Sequence, residues 1–242
     1  MKKHIPNTIT CCNLISGCVA TVFALYGNPE MALLFIILGA VFDFFDGMTA
    51  RVLGVSSPIG KELDSLADDV TFGVAPASIL FWFLGVIDYP QFLEGWRDII
   101  PLFAFIISAF SALRLAKFNL DTRQTTSFIG LPTPANALFW GSLIVGFGSQ
   151  MMYSMYSLPL LLIGAVVSSW LLIAEIPMFA LKFKQWGFKG NEIKYGFIIF
   201  SVIALIGGIA YGIIQEDINL CYSPFCVIIL AYIAVSIATQ KK

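Results

Sequence analysis

Residues 43–68 read DFFDGMTARVLGVSSPIGKELDSLAD, and the rest of the chain is understood from this stretch. Asp43 and Asp46 stand three residues apart, and Gly47 and Ala50 continue the same stripe of one helix. Gly60, Asp64 and Asp68 recur every four residues and line one face of a following helix. Between them Arg51 to Gly60 carries Gly54, Ser56, Ser57 and Pro58 and reads as a turn. Helices joined by a short turn are antiparallel neighbours, so the two acidic faces meet. Carboxylates converging in an apolar setting repel one another unless something positive sits between them. A divalent metal answers that need. An all-oxygen ligand set without His or Cys selects a hard cation such as Mg²⁺ or Mn²⁺.

Composition supplies the setting. Of 242 residues, 58% are hydrophobic and 12% charged, against roughly 25% charged in a soluble domain. A bilayer thus stands in for much of the buried core. The net charge of -1 gives nucleic acid nothing to bind. Five cysteines show neither metal-ligand spacing nor a disulfide framework. A Cys221–Cys226 bridge is conceivable, although Cys226 is expected in a helix. Lys2 and Lys3 before an apolar run suggest a signal peptide, but PNTITCCN is too polar and no small-residue cleavage site closes the run. It reads as the first transmembrane helix.

Apolar runs near the roughly 20 residues that span a bilayer fall at 10–27, 31–51, 63–86, 99–118, 132–150, 157–181, 195–215 and 221–239. The expected fold is therefore an all-α polytopic membrane protein of about eight helices. Loop charge tests the count. Lys2, Lys3, Arg51, Lys61, Arg114, Lys117, Arg123, Lys182, Lys184, Lys189, Lys194, Lys241 and Lys242 fall on one side, and of the 14 Lys and Arg residues only Arg97 falls on the other. By the positive-inside rule that side is cytoplasmic, as are both termini. Asp43, eight residues before Arg51, then lies roughly 12 Å below the inner surface.

The full spacing D-x2-D-G-x2-A-R-x8-G-x3-D-x3-D is filled by Asp43, Asp46, Gly47, Ala50, Arg51, Gly60, Asp64 and Asp68. It resembles the signature of the CDP-alcohol phosphotransferases, integral membrane enzymes of phospholipid synthesis. The resemblance implies two divalent cations, Mg²⁺ or Mn²⁺, one held by Asp43, Asp46 and Asp64 and the other by Asp43, Asp64 and Asp68. Asp68 is implied as the base that deprotonates the acceptor hydroxyl. The nucleotide is implied to lie against Gly47 and Ala50, small residues that alone would indicate only close helix packing. Arg51 is implied as a phosphate contact, although a positive-inside anchor looks the same, and Ser57 is either a ligand donor or an ordinary turn residue. The run IPNTITCCN resembles the P-N-x-x-T-x-x-N opening of the family, with Asn13 completing it, which makes Asn7 and Thr10 nucleotide-site candidates. By themselves Pro6, Asn7 and Thr10 read as a helix start with a hydroxyl cap. The only histidine, His4, lies in the tail, so direct displacement by the acceptor with release of CMP is expected. The resemblance also implies a homodimer. One membrane domain over 1–242 is expected, with a catalytic core at about 5–183 and two further helices at about 195–239.

Three more stretches, DSLADDVTFGVAPA (64–77), ALRLAKFN (112–119) and FIGLPTPANA (128–137), resemble the integral-membrane phosphatidylserine synthases of bacteria and archaea. They imply CDP-diacylglycerol as donor, L-serine as acceptor and a prokaryotic cytoplasmic membrane as the location. Arg114 and Lys117 become candidates for the serine carboxylate, with Asn119 orienting the same ligand. Lys117 stands where the family pattern has a second arginine and lacks its guanidinium fork. Asp69 points about 100° away from Asp68. Glu175, expected inside the sixth span, is a candidate only as an intramembrane carboxylate. Glycerol phosphate or inositol phosphate are the alternative acceptors. A cation transporter would spread its acids along several helices, and an intramembrane prenyltransferase would not need the D-G-x-x-A-R element. Soluble synthases built on paired H-x-K motifs are excluded by the single histidine.

Overall fold

Among the described residues, four of the six rods long and apolar enough to cross a bilayer carry or flank the acidic stretch: His4–Leu25, Pro29–Leu53, Pro58–Val86 and Ile100–Leu120; the others are Glu192–Ile214 and Ile218–Ala238. The computed structural model describes residues 4–55, 57–121, 123, 128–180, 187–188 and 190–239. Seven cations used for the topology, Lys2, Lys3, Lys182, Lys184, Lys189, Lys241 and Lys242, lie outside these residues, as does Ser56. The protein is a multi-pass, all-α membrane protein.

The elements are α1 (His4–Leu25), α2 (Pro29–Leu53), α3 (Pro58–Asp69), α4 (Ala75–Val86), α5 (Ile106–Leu120), α6 (Thr133–Met151), α7 (Ser157–Ile173), α8 (Glu192–Ile214) and α9 (Ser223–Ala238). A π turn, Val70–Val74, joins α3 to α4 in one rod, and a 3₁₀ turn, Ile100–Phe105, leads into α5. Helices occupy all eight expected spans, but two fall short of the expectation. α6 is continuous over its expected range but too rich in polar and small residues to count among the six apolar rods, and it buries Thr133, Asn136 and Ser142. α7 ends at Ile173 rather than near 181. There the chain turns extended so that β2 (Pro177–Met178) pairs antiparallel with β1 (Phe128–Ile129). Glu175 therefore sits outside the helix with its side chain 78% exposed, which corrects its placement inside a span. Helix α1 also starts earlier than expected. Pro6 lies in its first turn, where a missing N–H costs nothing, so Asn7 and Thr10 are helical rather than caps.

Small residues let the rods approach closely, as in other membrane bundles. A Cβ on Gly39 of α2 would come within 2.5 Å of the Thr71 methyl and 2.9 Å of Asn13 Oδ1. The Thr71 hydroxyl, inside the π turn, donates to the Asn13 carbonyl of α1 at 3.0 Å. The central core contains Ala20, Ile36, Phe72, Ile79, Phe83 and Trp140. A second cluster gathers Leu131, Leu171, Leu172, Met178 and Tyr232 around the β1–β2 pair. The loops sort to opposite ends of the bundle. Lys61 Nζ donates to the Asn119 carbonyl at 2.8 Å at one end. At the other, Asn219 Nδ2 donates to Glu30 Oε1 at 3.1 Å, and the Asp88 N–H to the Met152 carbonyl at 3.0 Å. Cys221 and Cys226 are both free thiols.

Candidate active site

The turn between α2 and α3 is shorter than the sequence suggests. Gly54 takes the left-handed conformation (φ 62°) that closes α2, a conformation glycine adopts without a side-chain clash. Ser57 then caps α3, its Oγ accepting from the Gly60 N–H at 3.1 Å, and Pro58 opens the helix. Arg51 is thus still helical and Gly60 already helical. This tight reversal lays the two acidic faces together. Asp43, Asp64 and Asp68 each offer one carboxylate oxygen, and the three atoms lie within 4.8 Å of one another. Asp64 Oδ1 is buried without a hydrogen-bond partner among the described residues.

Helix α1 forms a second layer behind the acids. Thr10 donates its hydroxyl to Asp46 Oδ2 at 2.5 Å, and Asn13 Nδ2 donates to Asp68 Oδ1 at 3.0 Å. The two donors are three residues apart on one face of α1. The Thr10 oxygen also lies 3.1 Å from the Pro6 carbonyl, but its one proton favours the nearer, charged acceptor. Asp46 is buried and lies outside the close trio. Asp69 also stands apart: Gly73 has space only for hydrogen because Asp69 Oδ1 would lie 2.6 Å from a Cβ there.

Two cavities meet at these acids. The first, about 250 Å³, is lined by Asn7, Thr10, Gly47, Ala50 and Ser57 together with Asp46, Asp64 and Lys61. Gly47 and Ala50 present little bulk to it. A Cβ on Gly60 would lie 2.9 Å from Ser57 Oγ and 3.0 Å from Asn7 Oδ1, so glycine keeps this wall tight. The second, about 510 Å³, is lined by Asp43, Asp46, Asp64, Asp68, Arg51, Arg114, Asn119, Phe128 and Thr133. Asp46, Gly47 and Asp64 belong to both cavities. Arg51 faces the second cavity, not the first.

The acceptor candidates part company in the structure. Arg114 is buried, its Nε has no hydrogen-bond partner among the described residues, and it lies within electrostatic reach of Asp68 and Tyr232. It separates the second cavity from a third, of about 310 Å³, that Lys117 lines with Asp121, Arg123 and Glu175. Asn119 lies on the acidic side, donating from Nδ2 to Ser65 Oγ at 2.7 Å. In the third cavity Arg123 pairs with Asp121 at 2.9 Å and Glu175 at 3.6 Å. Sequence reasoning passes over Lys61, Ser65 and Thr133 as lining residues. Asn13 completes the opening motif, but its attachment to Asp68 is visible only in three dimensions.

A family model described as CDP-alcohol phosphatidyltransferase matches residues 3–181. A CDP-diacylglycerol–serine O-phosphatidyltransferase of Bacillus subtilis (strain 168) is 40% identical over 174 residues, covering 72% of this chain and 89% of that protein. Proteins of the same name from Mycobacterium leprae (strain TN) and Mycobacterium bovis are 34% and 30% identical. Those alignments span 188 and 239 residues, covering 72% and 92% of this chain and 57% and 78% of those proteins.

Proposed function

The chain belongs to the CDP-alcohol phosphatidyltransferase family, and on that premise we infer that it transfers the phosphatidyl group of CDP-diacylglycerol to L-serine, giving phosphatidylserine and CMP. The observation that carries this reading is the meeting of two cavities at Asp46, Gly47 and Asp64. A nucleotide on one side and an acceptor on the other would then share the phosphorus between them. The names of the relatives support serine as acceptor. The third cavity supports it too. Its cations are interleaved with Asp121 and Glu175, a mixture that suits a zwitterion better than a phosphorylated alcohol.

The acids fit a divalent cation, Mg²⁺ or Mn²⁺: three carboxylate oxygens converge, and Asp64 Oδ1 is buried with no partner among the described residues; the family resemblance adds a second ion. Asp43, Asp46 and Asp64 would hold one ion, and Asp43, Asp64 and Asp68 the other. Bound there, the metal would supply positive charge to neutralise the pyrophosphate. The remaining work belongs to the protein. Asn7, Thr10, Gly47, Ala50 and Ser57 shape the nucleotide cavity, and Arg51 reaches the phosphates from the neighbouring one. Arg114 receives the serine carboxylate, Asn119 orients the same ligand, and Lys117 draws serine in from the adjoining cavity. Asn13 engages Oδ1 of Asp68, leaving Oδ2 to take the hydroxyl proton. The serine oxygen bonds to the phosphatidyl phosphorus as the bond to the CMP oxygen breaks.

The positive-inside pattern of the sequence supports a site at the cytoplasmic face, and the bacterial relatives support a prokaryotic membrane. The family reading adds a homodimer, which cross-linking in native membranes tests. The reaction is tested by CMP release from purified protein given CDP-diacylglycerol, Mn²⁺ or Mg²⁺, and serine, glycerol 3-phosphate or inositol phosphate in separate tubes. Release with serine alone, abolished by Asp68→Asn, is the expected result. Release only with a phosphorylated alcohol would overturn the acceptor while keeping the acidic site.

A further inference from the structure

One wall of the acidic cavity comes from neither the acidic hairpin nor α5. It consists of Phe128, Pro132, Thr133 and Pro134, at the entry to α6. Its position is set from outside its own segment. Phe128 pairs with Met178 and Ile129 with Pro177, and the Gly130 N–H donates to the Ile176 carbonyl at 2.9 Å. A pair of two-residue strands is marginal alone, so whatever holds 176–180 also holds the wall.

The Leu131 N–H ties the wall to the Leu171 carbonyl of α7 at 2.8 Å, and the last two helices hold the 176–180 side. Tyr232 of α9, 8% exposed, donates its phenol O–H to the Phe179 carbonyl at 2.9 Å. Its ring meets Phe179 edge-on at 4.9 Å, and Phe197 of α8 closes the cluster 5.3 Å from Phe179 and 5.8 Å from Tyr232. The Tyr232 hydroxyl, which also lies within electrostatic reach of Arg114, is held by a carbonyl one residue past β2. The family match stops at residue 181, so α8 and α9 both lie beyond it. Nothing from 128–134 or from these helices lines the nucleotide cavity. The wall thus stands apart from the nucleotide cavity, although it shares the acidic cavity with Arg51.

We propose that Tyr232 is a positioning residue for the acceptor: through Phe179 and the β1–β2 pair it fixes the Phe128–Pro134 wall against Arg114 and the catalytic carboxylates. The inference rests on the serine-transfer reading, which assigns this wall to the acceptor side. It gives the two C-terminal helices a role in the reaction without any contact to substrate.

The test is steady-state CMP release by the full chain in detergent, with serine and CDP-diacylglycerol varied separately. Tyr232→Phe keeps the ring and removes the donor, and Tyr232→Ala removes both. The expected result is a KM for serine raised about threefold in Tyr232→Phe and about tenfold in Tyr232→Ala, the scale of one hydrogen bond and of lost alignment. The KM for CDP-diacylglycerol should stay at its wild-type value, while the thermal midpoint of Tyr232→Phe falls modestly because the Phe179 carbonyl loses its donor. A wild-type KM for serine in Tyr232→Phe overturns the proposal, and so does an equal rise in both KM values, which would mean general loosening. Tyr232→Phe decides alone if Tyr232→Ala does not purify as folded protein. Wild-type protein that releases no CMP with serine overturns instead the reading beneath the proposal, before any variant is compared.

Discussion

Asn13 and Asp68 stand 55 residues apart in the chain, yet the Asn13 side-chain amide donates to Asp68 Oδ1 at 3.0 Å. The amide cannot easily turn away. Its own oxygen is buried and faces Gly39 across the α1–α2 contact, where a Cβ would come within 2.9 Å. Asn13 thus holds one oxygen of the proposed base in a fixed direction. Removing it with Asn13→Ala should lower kcat and weaken the Mn²⁺ requirement curve by about 10- to 100-fold, the usual cost of losing an outer-layer partner at a metal site. CMP release across a Mn²⁺ titration measures both. Unchanged kcat at every Mn²⁺ concentration would remove Asn13 from the mechanism.

Asp43, Asp64 and Asp68 converge on one point, so loss of any one should disable the site as a unit. Asp64→Asn should reduce CMP release by about a thousandfold. Mn²⁺ binding followed by paramagnetic resonance should fall in parallel. Retained Mn²⁺ binding in all three Asn variants would mean that the cluster is not the metal site.

Thr10→Val exchanges a hydroxyl for a methyl of similar volume and strips Asp46 of its donor. A buried carboxylate left without that bond costs about 1–3 kcal/mol or more. A lower thermal midpoint in detergent and a raised KM for CDP-diacylglycerol are expected, with the KM for serine little changed.

Gly17 lies against the π turn so closely that a Cβ would sit 2.7 Å from Thr71 Cα and 2.8 Å from its nitrogen. Both are backbone atoms and cannot swing aside. Gly17→Ala should therefore destabilise the fold by about 1–3 kcal/mol, read as a drop in thermal midpoint. Gly85→Ala, with open space around its Cβ position, is the control.

Orientation can be read with cysteines placed in a cysteine-free background. A cysteine at Glu94, in the loop before α5, should react with a membrane-impermeant maleimide in intact cells. A cysteine at Asp121, after α5, should react only once the membrane is opened. The opposite pattern would invert the topology and move the site to the outer face.

The acidic hairpin is legible in the sequence because its determinants are local. Aspartates at intervals of three and four fix a face, and Gly54, Ser57 and Pro58 fix the reversal between the faces. The long apolar rods are legible for the same reason, since length and composition alone mark them. The bonds that aim the acids are not. Thr10–Asp46 and Asn13–Asp68 join residues 36 and 55 positions apart, and no periodicity records such a partner. The same holds for β1 and β2, which are too short to show an alternation and which end α7 earlier than its apolar run suggests. Glu175 belongs to an apolar run that the sequence presents as one helix, but α7 ends at Ile173. Arg114, Lys117 and Asn119 fall within six residues, yet α5 delivers them to two cavities, because Asn119 is drawn toward Ser65 on α3.

The π turn at Val70–Val74 acts as a phase shifter within a single rod. One residue more than an α-helical turn would take lies between the acids of α3 and the buried apolar side of α4. Each residue of an α-helix advances about 100° around the axis. Deleting one residue from 70–74 would leave a straighter, fully α-helical rod. It would also turn Asp64 and Asp68 about a quarter-circle out of phase with the bundle that holds the rod in place. The chain can thus vary in side chains along this helix far more freely than in the number of residues it contains.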